Sequence, residues 1–307
     1  MKARSLILLI LLFLFVQQSQ AQPWKKLLKW SKRDKSSLIQ TSRIGTVYSS
    51  WELGLTYGES HYNGDLSKSF FQVVNMHQAI GGFVRYQRTR YWAYRLSFIK
   101  GTLSASDANN KASLRYRNLS FTSPLQEFSF LVESHIPEFS VCQNFNWTGY
   151  VFAGLSVFKF RPSNQYGDLQ SLRTEGQGTS SNPNTKPYKL TQVAIPFGIG
   201  AKFVPLRPIV IGAEIGFRKT FTDYIDDVST RYPDAQILAN EVSQNAVAAS
   251  FSGYGGTNPQ SKKSAQRGSP QFKDAYCIAQ LTISYCFLYD CRSERHRFND
   301  VGGCKSF

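Results

Sequence analysis

From Ile209 to Arg218 the chain reads IVIGAEIGFR, and the apolar residues Ile209, Ile211, Ala213, Ile215 and Phe217 alternate with Val210, Gly212, Glu214, Gly216 and Arg218. A period of two predicts a strand with one apolar and one polar face. The pattern recurs along the chain. Trp51, Leu53, Leu55 and Tyr57 alternate with Glu52, Gly54, Thr56 and Gly58, and Trp92, Tyr94, Leu96 and Phe98 alternate with Ala93, Arg95 and Ser97. No helix-forming repeat runs through these segments.

Eight such segments can be placed, near residues 48–59, 79–87, from Trp92 through Phe98, 119–134, 148–160, 190–203, from Ile209, and 275–287. In the fourth, Phe128, Phe130 and Val132 share one face and Glu127, Ser129 and Glu133 the other. The fifth, TGYVFAGLSVFKF, is apolar on both faces, so its orientation stays open. The connections after the second and sixth strands, Arg88-Thr89-Arg90 and Pro205-Leu206-Arg207-Pro208, are short. Those after the first, third, fifth and seventh are long, with 161–189 and 222–273 the longest; only 135–147 is long for a turn.

Short turns on one side and long loops on the other are the pattern of a membrane β-barrel. In lipid, only helices and closed barrels satisfy every backbone polar group. The fold class expected is therefore all-β, a transmembrane antiparallel barrel of eight strands with long external loops. Such a barrel has an interior just wide enough for side chains to fill. Glu52, Arg85, Arg95, Glu127, Glu133, Glu214 and Arg218 all fall on inward positions. Unpaired, each would be costly in a narrow lumen. They are expected to pair, giving a plugged barrel with little conductance.

The N-terminus fits export. Lys2 and Arg4 precede the apolar run from Leu6 to Val16, and Ser19-Gln20-Ala21 follows, the layout of a cleaved signal peptide ending at residue 21. The run is shorter than the roughly 20 residues of a spanning helix. Residues 22–47 then read as a basic periplasmic segment containing Lys25 and Lys26, residues 48–287 as the barrel, and 288–307 as a periplasmic tail. Formal charge is +16, or +14 once Lys2 and Arg4 are removed. For an exported chain this favours anionic lipid, lipopolysaccharide or an acidic protein surface over nucleic acid.

Chemistry is sparse. The five cysteines, Cys142, Cys277, Cys286, Cys291 and Cys304, show no metal spacing, although Cys291 and Cys304 are close enough in the tail to pair. His61, His77, His135 and His296 are scattered, and nothing calls for a cofactor. Asp223, Asp226 and Asp227 cluster at the mouth of a strand. Their oxygens suit Ca²⁺; turn capping and solvated charge are the competing readings.

The order of several motifs resembles the PorG family, the outer-membrane barrel subunit of the type IX secretion system. The resemblance is carried by Tyr62-Asn63-Gly64-Asp65-Leu66, Leu119-Ser120-Phe121 with Glu127, Tyr150-Val151-Phe152-Ala153-Gly154, Thr174-Glu175-Gly176-Gln177-Gly178, Ile195-Pro196-Phe197-Gly198-Ile199-Gly200 and Thr222-Asp223-Tyr224-Ile225-Asp226-Asp227-Val228-Ser229-Thr230. It implies a non-enzymatic component of protein secretion, and of gliding in some cells, associated with a periplasmic ring of PorK and PorN type. Contacts to such a ring are then expected at the turn side, through Arg88, Arg90, Arg207 and the Lys25–Lys26 segment. A porin-like or ligand-binding barrel is the alternative.

Overall fold

The structure, a computed structural model, describes residues 49–67, 76–141, 146–254 and 259–287. The expected signal peptide, the basic segment with Lys25 and Lys26, the C-terminal tail, and Cys142, Cys291 and Cys304 lie outside the described residues. Eight long strands form the wall: β1 (Ser50–Asn63), β2 (His77–Gln87), β3 (Trp92–Ser106), β4 (Ser120–Ile136), β5 (Trp147–Phe160), β6 (Thr191–Leu206), β7 (Ile209–Thr220) and β8 (Ala275–Phe287). Each pairs antiparallel with its neighbours in sequence, and β1 pairs with β8 from Trp51↔Phe287 to Asn63↔Ala275. The sheet therefore closes and leaves no edge among these strands.

The outside is apolar. Leu53, Leu55, Ile80, Leu96, Phe128, Leu155, Val193, Ile199 and Ile283 are all exposed, and Trp51, Trp92, Trp147 and Tyr285 gather toward the end with the short turns. A continuous apolar belt with aromatic residues at its border is suited to lipid, not water. The inward positions carry the charges predicted for them, and every one is buried. On β5 the open question of orientation is resolved by space. Tyr150 and Phe152 point inward, opposite glycines on β6 and β7. A Cβ at Gly200 would sit 2.4 Å from the Tyr150 ring, and one at Gly216 would sit 2.9 Å from that of Phe152.

Some strands run further than alternation suggested. Tyr62 and Asn63, expected in a loop, still pair with Tyr276 and Ala275. β3 continues through Leu103 and Ala105, both buried, because its partner on β4 supplies register out to Ser106↔Ser120. Only Arg207 and Pro208 separate β6 from β7, since Leu206 still pairs with Ile209. The long connections expected as irregular loops fold into a head. It contains short helices at Leu169–Leu172, Ala235–Glu241 and Gln244–Ser250. The helix starting at Ala235 is capped by Asp234, whose carboxylate accepts from the Gln236 and Ile237 amides.

Candidate functional site

The lumen is filled from end to end. At the turn end, Phe139 and Val141 of the connection after β4 are fully buried against Val204, Val210 and Cys286. The Lys202 ammonium lies 3.9 Å from the centre of the Phe139 ring and 3.7 Å from Glu52. A chain of ion pairs follows. Arg85 reaches Glu52 at 2.5 Å and Glu133 at 3.0 Å; Arg95 reaches Glu133 at 3.1 Å and Glu214 at 2.7 Å. The Tyr150 hydroxyl donates to Glu214 at 2.6 Å, and the Gln280 amide donates to it at 2.5 Å. Nearer the head, Arg218 meets Glu127 at 3.1 Å, and the Tyr276 hydroxyl donates to the same carboxylate at 2.6 Å. Above them Ile99, Leu103, Leu125, Phe158, Phe160 and Ile278 form an apolar plug that continues into the head.

All seven charges predicted for the lumen are thus brought together. An eighth, Lys202, was not among them, although the parity that points Ile199 outward also points Lys202 inward. With it, four carboxylates (Glu52, Glu127, Glu133, Glu214) face four cations (Arg85, Arg95, Lys202, Arg218), and the lumen is electrically neutral. In a low-dielectric interior a single leftover charge would cost several kcal/mol, roughly, by the energetics of buried ion pairs.

The head is tied by two buried arginines. Arg117 grips Asp107 through two hydrogen bonds of 3.0 and 2.7 Å, and donates to the carbonyls of Arg267, at 2.5 Å, and Asp65, at 3.2 Å. Arg267 in turn pairs with Glu175 at 3.2 Å and with the carboxylate and carbonyl of Asp227. Glu175 also accepts the amides of Ser229 and Thr230 at 2.8 and 2.9 Å. The two hubs together link all four long connections.

The acidic stretch is buried, which corrects the reading of it as solvated charge. Asp223, Asp226 and Asp227 are buried and face different partners. Asp223 accepts from the Ser229 hydroxyl at 2.6 Å, Asp226 from the Val228 amide at 2.9 Å, and Asp227 from Thr174 and, at 2.8 Å, from Tyr188. Among the described residues no cluster of acidic, His or Cys side chains has the arrangement of a metal site. Asp226 alone makes the turn-type contact, accepting a backbone amide two residues on. Burial raises the proton affinity of these aspartates: the Asp223 carboxyl is pushed up to about 7 and that of Asp227 to about 6, in the latter against the opposing pull of Arg267. Asp274, which accepts from the Tyr62 hydroxyl at 2.5 Å, is raised further by burial and by the neighbouring Asp223, and Asp226 by burial and by Asp274.

Of the residues expected to meet a partner, Arg88, Arg90 and Arg207 lie at the turn end, and Lys25 and Lys26 lie outside the described residues. Arg88 and Arg207 are exposed, and Arg90 is half-buried, 3.5 Å from Glu138.

A family described as a domain of unknown function, DUF6089, matches residues 38–254, more than half of the chain and most of the barrel. The chain belongs to the DUF6089 family. No curated protein sequence matches it. Among solved structures, this DUF6089 chain is similar to the attachment invasion locus protein Ail of Yersinia pestis, at 12% identity, with 78% of this chain and 99% of Ail covered and a TM-score of 0.37. It is also similar to the N-terminal β-barrel domain of Pseudomonas aeruginosa OprF, at 10% identity, 77% and 97% coverage and a TM-score of 0.36. A third is OprG of the same organism, at 9% identity, 79% and 97% coverage and a TM-score of 0.32.

Proposed function

We propose that this chain is a non-conducting, non-enzymatic outer-membrane barrel that serves as a structural subunit of the type IX secretion machinery. The observation that carries the reading is the neutral, filled lumen between Phe139 and the apolar plug. A pore needs a hydrated path, and a barrel that spends its interior on paired charges and packed rings has given it up. The apolar belt on the wall places the strands in a bilayer, and the short turns then face the periplasm by the usual polarity of such barrels.

The link to secretion rests on the motif resemblance to the PorG family. Three of its motifs, Tyr62–Leu66, Thr174–Gly178 and Thr222–Thr230, are far apart in the chain and meet in the head, where Glu175 accepts from Ser229 and Thr230 and where Tyr62 and Leu66 share one buried cluster with Ile225 and Val228. In this reading Arg88, Arg90 and Arg207 present a basic rim to a periplasmic ring of PorK and PorN type.

The test is capture of the tagged barrel from detergent-solubilised outer membranes, with planar-bilayer recording of the same preparation. Stoichiometric ring proteins and a flat current trace are the expected result. A current of porin size, or a barrel that purifies without any ring protein, overturns it.

A further inference from the structure

A cleft of about 580 Å³ opens in the head, between the connection that follows β5 and the one that joins β7 to β8. That volume is within the range of small-molecule sites. Its charged walls are already committed. Glu175 is spent on Arg267 and on two backbone amides, and Asp234 on its helix cap and on Lys263 at 2.9 Å. Apart from Arg231, what the cleft still offers is uncharged.

The side-chain amide of Asn182 makes no hydrogen bond to the described residues, and that of Gln266 gives only its nitrogen, at 3.1 Å to the Gly268 carbonyl. Gln177 is 3% exposed, and its amide nitrogen has no acceptor. An unmet buried donor is uncommon in native proteins and asks for a partner. One tyrosine offers a ring face, braced from behind: half-buried Tyr224 stacks on Tyr188 at 4.8 Å, while Tyr232, 2% exposed, stacks on Phe251 at 5.1 Å as buried backing.

We propose that this cleft binds a short neutral saccharide. A sugar hydroxyl is donor and acceptor at once, and a carboxamide matches both functions from one flat group. The C–H face of a pyranose is apolar and packs against a rigid aromatic ring. An anionic ligand would want several free cations, and Arg231, which donates to the Ser264 carbonyl at 2.8 Å, is the one wall cation not paired with a carboxylate among the described residues. An extended peptide would add to a free strand edge. Here the edge is taken, because Tyr232 donates to Ala265 and Arg267 to Thr230, both at 2.9 Å.

The experiment is saturation-transfer NMR on the full-length barrel in a detergent without a sugar headgroup, using maltose, cellobiose and N,N′-diacetylchitobiose as probes. Transfer to at least one disaccharide is expected, with binding weakened about tenfold in the Asn182→Ala/Gln266→Ala variant, as two lost hydrogen bonds imply. Gln266→Ala alone, at an exposed position, is the second variant and should weaken binding by several-fold. No transfer from any of the three probes, or unchanged affinity in both variants, overturns the proposal, as does displacement of the bound sugar by no more than buffer salt. Ring capture by the wild-type chain is read separately, so failure here leaves the secretion reading standing, and the converse holds.

Discussion

The Lys202 ammonium sits 3.9 Å over the Phe139 ring, so the residue that balances the lumen's charge also carries the plug at its turn end. The ring gives the cation a π face, and the cation gives the ring a fixed seat. Phe139→Ala should therefore destabilise the barrel by about 3–5 kcal/mol, the usual cost of removing a buried phenyl ring. Urea unfolding in micelles checks the value. Bilayer current should stay at baseline, because the Glu52–Arg85 layer still closes the lumen behind it.

Arg218 and Glu127 form an ion pair isolated from the longer chain. Arg218→Met alone leaves a buried carboxylate held only by Tyr276, at a cost of about 3–5 kcal/mol. Glu127→Gln added to it should recover part of that loss, since the amide still accepts from the Tyr276 hydroxyl. A double-mutant cycle measured by urea unfolding should show a coupling of about 1–3 kcal/mol. Strict additivity would mean the pair does not interact.

Arg267 holds the head but not the wall. Arg267→Ala should leave strand content by circular dichroism unchanged while trypsin cuts within residues 222–274 much faster. Arg267→Lys should behave like the alanine variant. A lysine has one point of charge where the guanidinium serves Glu175 and Asp227 together.

The head should loosen as pH rises. The Asp223 carboxyl titrates at about 7 and that of Asp227 at about 6, both above the ordinary aspartate range. Between pH 4 and these values the folded head binds more protons than the unfolded chain, so stability falls with rising pH. The contribution is fully present below the unfolded value and is lost on passing the folded one. Amide exchange in Thr222–Thr230 should be slower at pH 5 than at pH 8 after correction for the intrinsic rate. Asp223→Asn should flatten part of that difference.

The wall was legible because each strand repeats one rule over many residues. Once Trp51 was outward, Glu52 had to be inward, and the seven lumen charges followed. Lys202 escaped because the outward alternation was traced only to Ile199, three residues short of it. The head escaped for a different reason. Its decisive contact joins Arg117 to the carbonyl of Arg267, 150 residues away, and no local period encodes such a pairing. Asp227 looked like surface charge because its partners Thr174 and Tyr188 come from another loop, whereas Asp223 and Asp226 are met by Ser229 and Val228 of their own stretch. The Cys277 and Cys286 thiols are both buried on β8, Cys286 at an inward position and Cys277 on the opposite face.

The ladder between β1 and β8 has a temporal meaning. It joins the first and last strands of the wall, and the same step carries Asp65 to the Ser269 amide and Tyr62 to Asp274. Until the final strand is in place, Arg267 and the segment it anchors have no fixed position relative to the loops they lace. The head is thus a witness to completion: a chain stalled before closure presents its long loops loose to any protease within reach, and a finished one does not.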